Sequence, residues 1–175
     1  LLRKNLAITT GAFAVRDLDG EPHVVMVDTM VAASVTASAS SALNDDMGPE
    51  KTIDGSGLNE LDQHSTLASE MWLSSPGELP WIQYEFDKAY RLHEMWVWNS
   101  NQIIESFLGL GVKDVVVEYS LDGVEWTALE GAIQFTQATG TDTYTANTVV
   151  DLGGAMARYV KVTVNSGYGT MGQYG

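Results

Sequence analysis

The sequence predicts an all-β protein, and its pattern is typical of an antiparallel jelly-roll β-sandwich. Few stretches show the three-four spacing of apolar residues that an amphipathic helix requires. Short segments rich in β-branched and aromatic residues instead recur between turn signals along the whole chain. Long polar loops separate several of these segments, so we expect about seven or eight strands packed as a sandwich with its loops on one side.

The N-terminal region carries a hairpin signal. Strand-like runs at 6–15 and 23–30 flank an Asp-Gly pair at 19–20, and such a pair between two strands favours a tight turn. We therefore predict an N-terminal β-hairpin extension, or the tail of a preceding domain, over residues 1–30. The basic start also has features of a cleavable signal peptide, but two threonines and a glycine at 9–11 interrupt its apolar stretch.

The main domain is predicted to span residues 31–175. It opens with small residues that alternate between apolar and polar, as in an edge strand, and it contains long loops at 43–80 and 99–113. An Asp-Gly pair at 122–123 predicts a hairpin. After the opening strand, the predicted strands are 81–86, 92–99, 114–120, 124–129, 143–154 and 158–167.

Charge and composition exclude several classes of function. The chain has 23 acidic and nine basic residues, for a formal charge of −14, which would repel nucleic acid and anionic lipid. No apolar run approaches the ~20 residues that span a bilayer, so we expect no membrane insertion. Cysteine is absent, which leaves neither a disulfide framework nor a thiol nucleophile.

No motif for catalysis stands out. The chain contains no P-loop, no G-x-S-x-G elbow and no H-E-x-x-H pair. Three histidines are the only imidazole bases, and one of them, His93, lies within a strand pattern. We therefore expect a binding protein rather than an enzyme.

The segment KTIDGSGLNELDQHSTLASEMW, residues 51–72, is the least core-like part of the main domain. Calcium is bound by about six to eight hard oxygen atoms, and a glycine-permitted turn can gather them from carboxylates, hydroxyls and carbonyls. Asp54 before Gly55 offers such a turn. The alternative is an acidic loop that is simply exposed to solvent.

Two loops have the composition of a sugar-binding site, which needs an aromatic platform beside planar hydrogen-bonding groups. The candidate ligand-binding residues of the first loop are Trp98, Asn99 and Asn101. Those of the second are Asn165, Tyr168 and Tyr174, which stand among glycines. Trp98 has the strand parity of Trp96 and is as well explained by the core, to which we also assign Trp72, Trp81, Trp96 and Trp126.

The order of motifs resembles a known family. The segments TIDG, MW, WIQYEFDKAYRLHEMWVWN, VKDVVVEYSLDGVEWT, RYVKVTVNSGYG and GQYG are together similar to a discoidin domain, also called the coagulation-factor C-type domain. The similarity covers residues 31–175 and is to the branch that contains family 32 carbohydrate-binding modules, as found in large secreted proteins of planctomycete-type bacteria.

This resemblance implies an eight-stranded jelly roll with one structural calcium and a ligand face at one end. It assigns calcium ligands to the carbonyl of Lys51, to Asp54 and to a residue just before the tryptophan, here Glu70. Because this loop is longer than usual, Asp62, Ser65 or Thr66 is expected to substitute. His64 is a poor calcium ligand and is expected either to face the glycan or to be an exposed loop histidine. The family's final strand, which bears a calcium-binding Glu, is not found before Gly175.

The sequence therefore predicts a non-catalytic, extracellular carbohydrate-binding module that tethers a larger protein to polysaccharide. The alternative is a structural adhesion or self-assembly module. In that case unpaired strand edges or the loop face would contact neighbouring domains or further copies of the chain, giving a homo-oligomer or filament.

Overall fold

The computed structural model describes residues 12–16, as backbone alone, together with residues 35–77 and 79–175. Within these ranges the chain forms seven strands and one short helix. They are β1 (Ala12–Arg16), β2 (Val35–Ala39), β3 (Trp81–Val97), α1 (Glu105–Leu108), β4 (Asp114–Ser120), β5 (Thr127–Ala128), β6 (Ile133–Gln134) and β7 (Thr148–Val164). Three short 3-10 turns, Asp45–Met47, Pro49–Thr52 and Ala68–Glu70, lie in the long loop before β3. The all-β prediction is confirmed, and no described helix is long and apolar enough to cross a membrane.

All strand pairs are antiparallel, in the order β1-β3-β7-β4-β5, with β2 on β3 and β6 on β4. The two 17-residue strands β3 and β7 are the backbone of the fold. Residues 82–86 of β3 pair with β2, whereas residues 91–96 pair with β1. The two halves of each long strand thus pair with different strands of the β-sandwich.

The predicted strands 81–86 and 92–99 are one continuous strand, and so are most of 143–154 and 158–167. The prediction of separate strands is wrong because the polar residues between them do not end the strand. The pairing of β3 with β7 shifts register between Glu85 and Tyr90 and again between Leu92 and Glu94. Such irregularities let a strand bend while it keeps most of its hydrogen bonds.

The main core lies beneath alternating residues of the long strands. Ile82, Tyr84 and Phe86 of β3 face it, and Val160, Val162 and Val164 of β7 lie beside them. The core also contains Trp72, which has no exposed surface and donates its indole N–H to the carbonyl of Ser41 at 2.9 Å. The core assignment of Trp72 is therefore confirmed.

The same assignment is wrong for Trp96, which is 37% exposed, while Trp81 and Trp126 are half-buried. The irregularity after Leu92 exchanges the two faces of β3, so that Met95 and Val97 point inward instead of Trp96. A one-residue shift of this kind moves every following side chain to the opposite face.

Of the predicted N-terminal hairpin, only β1 lies within the described residues. Ala12 pairs with Trp96 and Arg16 with Arg91, so this segment joins the sheet of the main domain. The remainder of residues 1–30 lies outside the described part of the chain.

Candidate functional site

Four loops meet at one end of the sandwich, and we call residues 54–70, 99–111, 137–144 and 166–171 the loop end. Backbone hydrogen bonds join them in pairs. His64 N–H donates to the carbonyl of Tyr144 at 2.7 Å, and Gly169 N–H donates to that of Gly109 at 2.8 Å. The close approach of Gly169 requires glycine, because a Cβ there would lie 1.8 Å from the carbonyl oxygen of Leu108. The loops therefore form one connected surface.

Asn101 is a buried hub of the loop end. Its amide nitrogen donates to the carbonyls of His64, Ser65 and Thr141 at 2.9, 3.1 and 2.7 Å. Its amide oxygen accepts from Gly140 N–H at 2.9 Å. A single side chain thus fixes the spacing between the first long loop and residues 140–141.

Asn99, two residues earlier in the same loop, joins different segments in a similar way. Its amide nitrogen donates to the carbonyls of Val112 and Thr136 at 2.7 and 3.0 Å. Its oxygen accepts from the N–H groups of Val112 and Ser100 at 2.9 and 3.0 Å. Both asparagines have no exposed surface, so the prediction that Asn99 and Asn101 contact a glycan is wrong, since all their hydrogen-bonding groups are used internally.

Trp98 is also inside the protein, with 1% of its surface exposed. It packs with Ala138 and Tyr144 in a second small cluster, and its indole N–H donates to the carbonyl of Asp62 at 3.0 Å. The predicted role as a sugar platform is therefore wrong, because a side chain without exposed surface cannot stack on a ligand. Trp98 instead supports the first long loop from beneath.

His64 is 2% exposed, and neither of the roles predicted for it agrees with this burial. Its Nδ1 lies 2.9 Å from the carbonyl oxygen of Ser65, and a Cβ on Gly57 would lie 2.4 Å from its Nε2. Desolvation by burial lowers the pKa of His64, which favours a neutral ring. The histidine fills the interior of the loop.

Glu105 is a buried group that the sequence analysis did not single out. Its carboxylate accepts from Leu110 N–H at 2.9 Å, from Gly111 N–H at 3.1 Å and from Gln137 Nε2 at 3.0 Å. Burial raises the pKa of Glu105, and these hydrogen bonds oppose the rise. The carboxylate holds α1 against the segment that enters β4. Acidic residues are rarely buried, and no local pattern distinguishes this one.

The three candidates in the last loop differ in their surroundings. Asn165 is exposed, Tyr168 is 37% exposed, and Tyr174 is half-buried against the main core. The Tyr168 hydroxyl donates to the carbonyl of Phe135 at 2.7 Å, which fixes the ring at the loop end. Asn165 and Tyr168 can reach a ligand, whereas the ring of Tyr174 lies directly against Gly167 and the main core.

The predicted calcium ligands lie in a compact loop, but their carboxylates do not converge. Within 35–77 and 79–175, no group of three or more His, Asp or Glu side chains is placed to hold a metal. Asp54 is exposed; it accepts from Ser56 N–H at 2.8 Å and lies 3.7 Å from Lys51 Nζ. Asp62 adopts a positive φ of 57° and, like Thr66, is half-buried. Asp54, Asp62 and Glu70 therefore do not form one carboxylate shell.

Other oxygen atoms do gather in this loop. A Cβ on Gly57 would lie 3.1 Å from the carbonyl oxygen of Glu70, and Ser65 N–H donates to the carbonyl of Gly57 at 2.8 Å. The Ser65 hydroxyl donates to the carboxylate of Glu70. The start of the loop thus lies against the residues before Trp72, in surroundings rich in hard oxygens. Carbonyl, hydroxyl and carboxylate oxygens are the kinds of ligand that calcium prefers.

Seven of the thirteen large apolar side chains that are exposed among the described residues lie at the loop end. Phe107 is 88% exposed at the tip of α1, and Ile103 is 72% exposed beside it. The other large apolar side chains exposed there are Leu61, Leu67, Ile104, Tyr168 and Met171. We call these seven residues the apolar rim. A contiguous exposed apolar patch is typical of a binding surface, whereas apolar side chains exposed singly are common on any protein.

Exposed hydroxyl groups border the rim. Thr139, Thr141 and Thr143 form a row in which neighbouring hydroxyl oxygens lie 2.8 and 3.4 Å apart. The intervening Gly140 would place a Cβ 3.5 Å from the carbonyl oxygen of Ile103, so this row adjoins the α1 loop. No motif or spacing in the sequence pointed to Phe107 or to the threonines. The signal available for Phe107 was an isolated aromatic residue inside a predicted loop.

Comparisons with known proteins agree with this architecture. The model of the F5/8 type C domain family matches residues 34–174. No curated protein sequence matches the chain.

Several solved structures share the fold. CpGH89CBM32-5 from Clostridium perfringens, in complex with GalNAc-β-1,3-galactose, is 14% identical with a TM-score of 0.57, covering 82% of this chain and 91% of its own. The family 32 carbohydrate-binding module of C. perfringens NanJ, in complex with galactose, is 15% identical with a TM-score of 0.59. The match covers 82% of this chain and 90% of that module. CBM32-3 from a family 31 glycoside hydrolase of C. perfringens is 19% identical with a TM-score of 0.60. The match covers 82% of this chain and 87% of that module.

The jelly-roll sandwich, the motif order and the extent of the match lead to the same conclusion, that this chain belongs to the F5/8 type C domain family.

Proposed function

We propose that the chain is a non-catalytic carbohydrate-binding module that holds a larger extracellular protein on polysaccharide. The observation that supports this most is the apolar rim, in which Phe107 is 88% exposed beside a row of threonine hydroxyls. Sugar rings present apolar C–H faces flanked by hydroxyl groups, so they are recognised by an aromatic surface bordered by hydrogen-bonding groups. The complexes of similar folds with galactose and GalNAc-β-1,3-galactose are consistent with this proposal.

The loop end has what a shallow glycan site requires. Its supporting side chains are fully buried and hydrogen-bonded, so the exposed groups are held in place before a ligand arrives. Little conformational entropy is then lost on binding, which lets a small contact area give useful affinity. Tyr168 and Asn165 extend the surface on the side of the last loop.

Replacement of Phe107 by alanine tests the proposal. We expect the variant to bind glycan about tenfold more weakly, which corresponds to ~1.4 kcal/mol and lies within the range of one aromatic stacking contact. The melting temperature should not change, because the ring is almost fully exposed. The measurement is a glycan array followed by calorimetric titration of the polysaccharide that binds.

Val124→Ala is the matched control. Val124 is 74% exposed, but it follows the far end of β4, away from the loop end. It should bind as the parent chain does. A Phe107→Ala variant with unaltered affinity would refute the role of the rim, and a blank array for the parent chain would refute carbohydrate binding.

We also propose that calcium binds in the 51–70 loop, with Asp54 and the Glu70 region among its ligands and Lys51 contributing its carbonyl. If so, calcium should raise the melting temperature. At a free calcium concentration of 100 times the dissociation constant, the free energy of unfolding should increase by ~2.7 kcal/mol. Asp54→Ala should remove this response, whereas Glu125→Ala, which removes an exposed carboxylate from the turn after β4, should keep it. Scanning calorimetry with calcium and with chelator measures both. A parent chain that ignores calcium would contradict the metal site, and an undiminished response in Asp54→Ala would contradict the ligand assignment.

Self-assembly is the second candidate, because the apolar rim would suit a protein partner as well as a sugar. In that case light scattering should show association that rises with concentration and is abolished by Phe107→Ala. Monomeric behaviour throughout, together with glycan binding, would exclude it.

A further inference from the structure

The cationic side chains of the described residues lie mostly away from the loop end. Arg158 pairs with Glu85 at 2.7 Å, and Arg91 donates to the carbonyl of Gly154 at 3.2 Å. Lys161 lies over the rings of Trp81 and Trp126, at 5.3 and 5.8 Å. These contacts are on the strands or their far turns, so they supply no positive charge to the apolar rim.

Three lysines remain within 35–77 and 79–175. Lys88 lies 5.3 Å from the ring of Tyr90, at the bend of β3. Lys51 lies 3.7 Å from the carboxylate of Asp54, which offsets its charge. Lys113, whose Nζ lies 5.9 Å from the centre of the Tyr168 ring, is therefore the one cation of the described residues that borders the rim.

Acidic groups are more numerous there. Glu60 and Asp142 are exposed on the loops of the loop end, Asp62 and Glu70 are half-buried, and Glu105 is buried without an ion-pair partner among the described residues. The whole chain carries a formal charge of −14. Among the described residues, a sulfate or carboxylate placed at the rim would therefore meet these five acidic side chains, and Lys113 is the one basic group there that could offset them.

We propose that the ligand of the loop end is a neutral glycan and that sulfated or uronate polysaccharides are excluded by charge. This inference rests on the proposed carbohydrate-binding function and adds the chemical class of the ligand. Neutral sugars contact Phe107 and Ile103 through their C–H faces and the threonine row through their hydroxyls, and none of these contacts requires a charge. Binding of a neutral glycan is accordingly insensitive to salt.

The test uses matched pairs of polysaccharides. Galactan, xylan, mannan and dextran are compared with a chemically sulfated form of each, at ionic strengths where the Debye length is ~30 Å and ~8 Å. We expect at least one neutral form to bind, with its sulfated form at least tenfold weaker at low salt and this ratio falling as salt is added. Repeating the series with chelator shows whether a bound calcium ion contributes attraction.

Two variants with the same change in net charge show whether charges at the loop end, or the net charge of the whole chain, repel the sulfated ligand. Glu60→Gln removes an exposed carboxylate at the loop end, and Glu125→Gln removes one from the turn after β4. Glu60→Gln should reduce the ratio of neutral to sulfated affinity at least twice as much as Glu125→Gln does. The affinity for the neutral polysaccharide should be the same in both variants. Equal effects would refute a local origin of the exclusion.

The failures of the two proposals are distinguishable. A sulfated form that binds as tightly as its neutral partner, or more tightly, at low salt would overturn the neutral-ligand inference and leave carbohydrate binding intact. If neither form of any polysaccharide binds, carbohydrate binding itself is refuted.

Discussion

Trp98→Ala is expected to lower the free energy of unfolding by about 3–5 kcal/mol, the usual loss when a buried tryptophan is truncated. The ring is 1% exposed in the small cluster with Ala138 and Tyr144, so its removal leaves a cavity. It also leaves the carbonyl of Asp62 without the indole donor at 3.0 Å, which loosens the first long loop. Urea denaturation followed by circular dichroism measures the change.

Trp98→Phe separates the two contributions. It keeps most of the ring volume but removes the hydrogen bond to Asp62, and it should lose only about 1–2 kcal/mol. If Trp98→Ala remains as stable as the parent chain and loses glycan binding, the ring is an exposed platform, which is one of the two interpretations of the sequence pattern.

Asn99→Asp is expected to be at least as damaging, although it changes only one amide group to a carboxylate. The amide nitrogen of Asn99 donates to the carbonyls of Val112 and Thr136, and both would then face a carboxylate oxygen. A buried charge opposed by two carbonyl dipoles must either be protonated or unfold the site. We expect a loss of about 3–5 kcal/mol at neutral pH.

The effect of Asn99→Asp should depend on pH in a defined direction. The folded state disfavours the ionised form of the introduced carboxyl group, so the pKa of this group is raised above the unfolded value of ~3.9. The deficit in stability is therefore smallest below that value and grows as pH rises towards the folded pKa. Denaturation midpoints across this range, compared with the parent chain, measure it.

Asn165→Asp is the matched control for the same chemical change. Asn165 is exposed at the end of β7, so its substitution should alter stability by no more than ~0.5 kcal/mol. If Asn99→Asp proved as harmless as this control, Asn99 would have to be free to turn towards solvent, and its role as a hub would be refuted.

For Asn99 the sequence pattern favoured a ligand-facing loop, and for Trp98 it left the ligand face and the core as alternatives. Amides and an aromatic residue that follow a strand are typical of sugar-binding loops, and that pattern is present at Trp98, Asn99 and Asn101. The same residue types also suit a buried hub, because an asparagine amide can satisfy backbone donors and acceptors at once. Which of the two holds depends on whether the side chain points inward, and spacing alone does not show this.

The loop of residues 51–70 shows a similar division. The turn at Asp54-Gly55 and the many oxygen-bearing residues were visible in the sequence. The contacts that bring Gly57 against Glu70 and Ser65 depend on how a long loop folds over Trp98 and Tyr144. Such contacts join residues far apart along the chain, so local composition does not predict them.

Alternation and turn signals predicted a β-sandwich because each segment carries them locally, and the resemblance in motif order predicted the discoidin family. Which side chains are exposed at the loop end is determined by the tertiary structure. The register shift after Leu92 exchanged the inner and outer faces of β3, and the packing of four loops buried the predicted asparagines while leaving Phe107 exposed. The physical reason is that the direction of a side chain is set by strand pairing and loop packing between distant segments, and these enter the free energy only when the whole domain has formed.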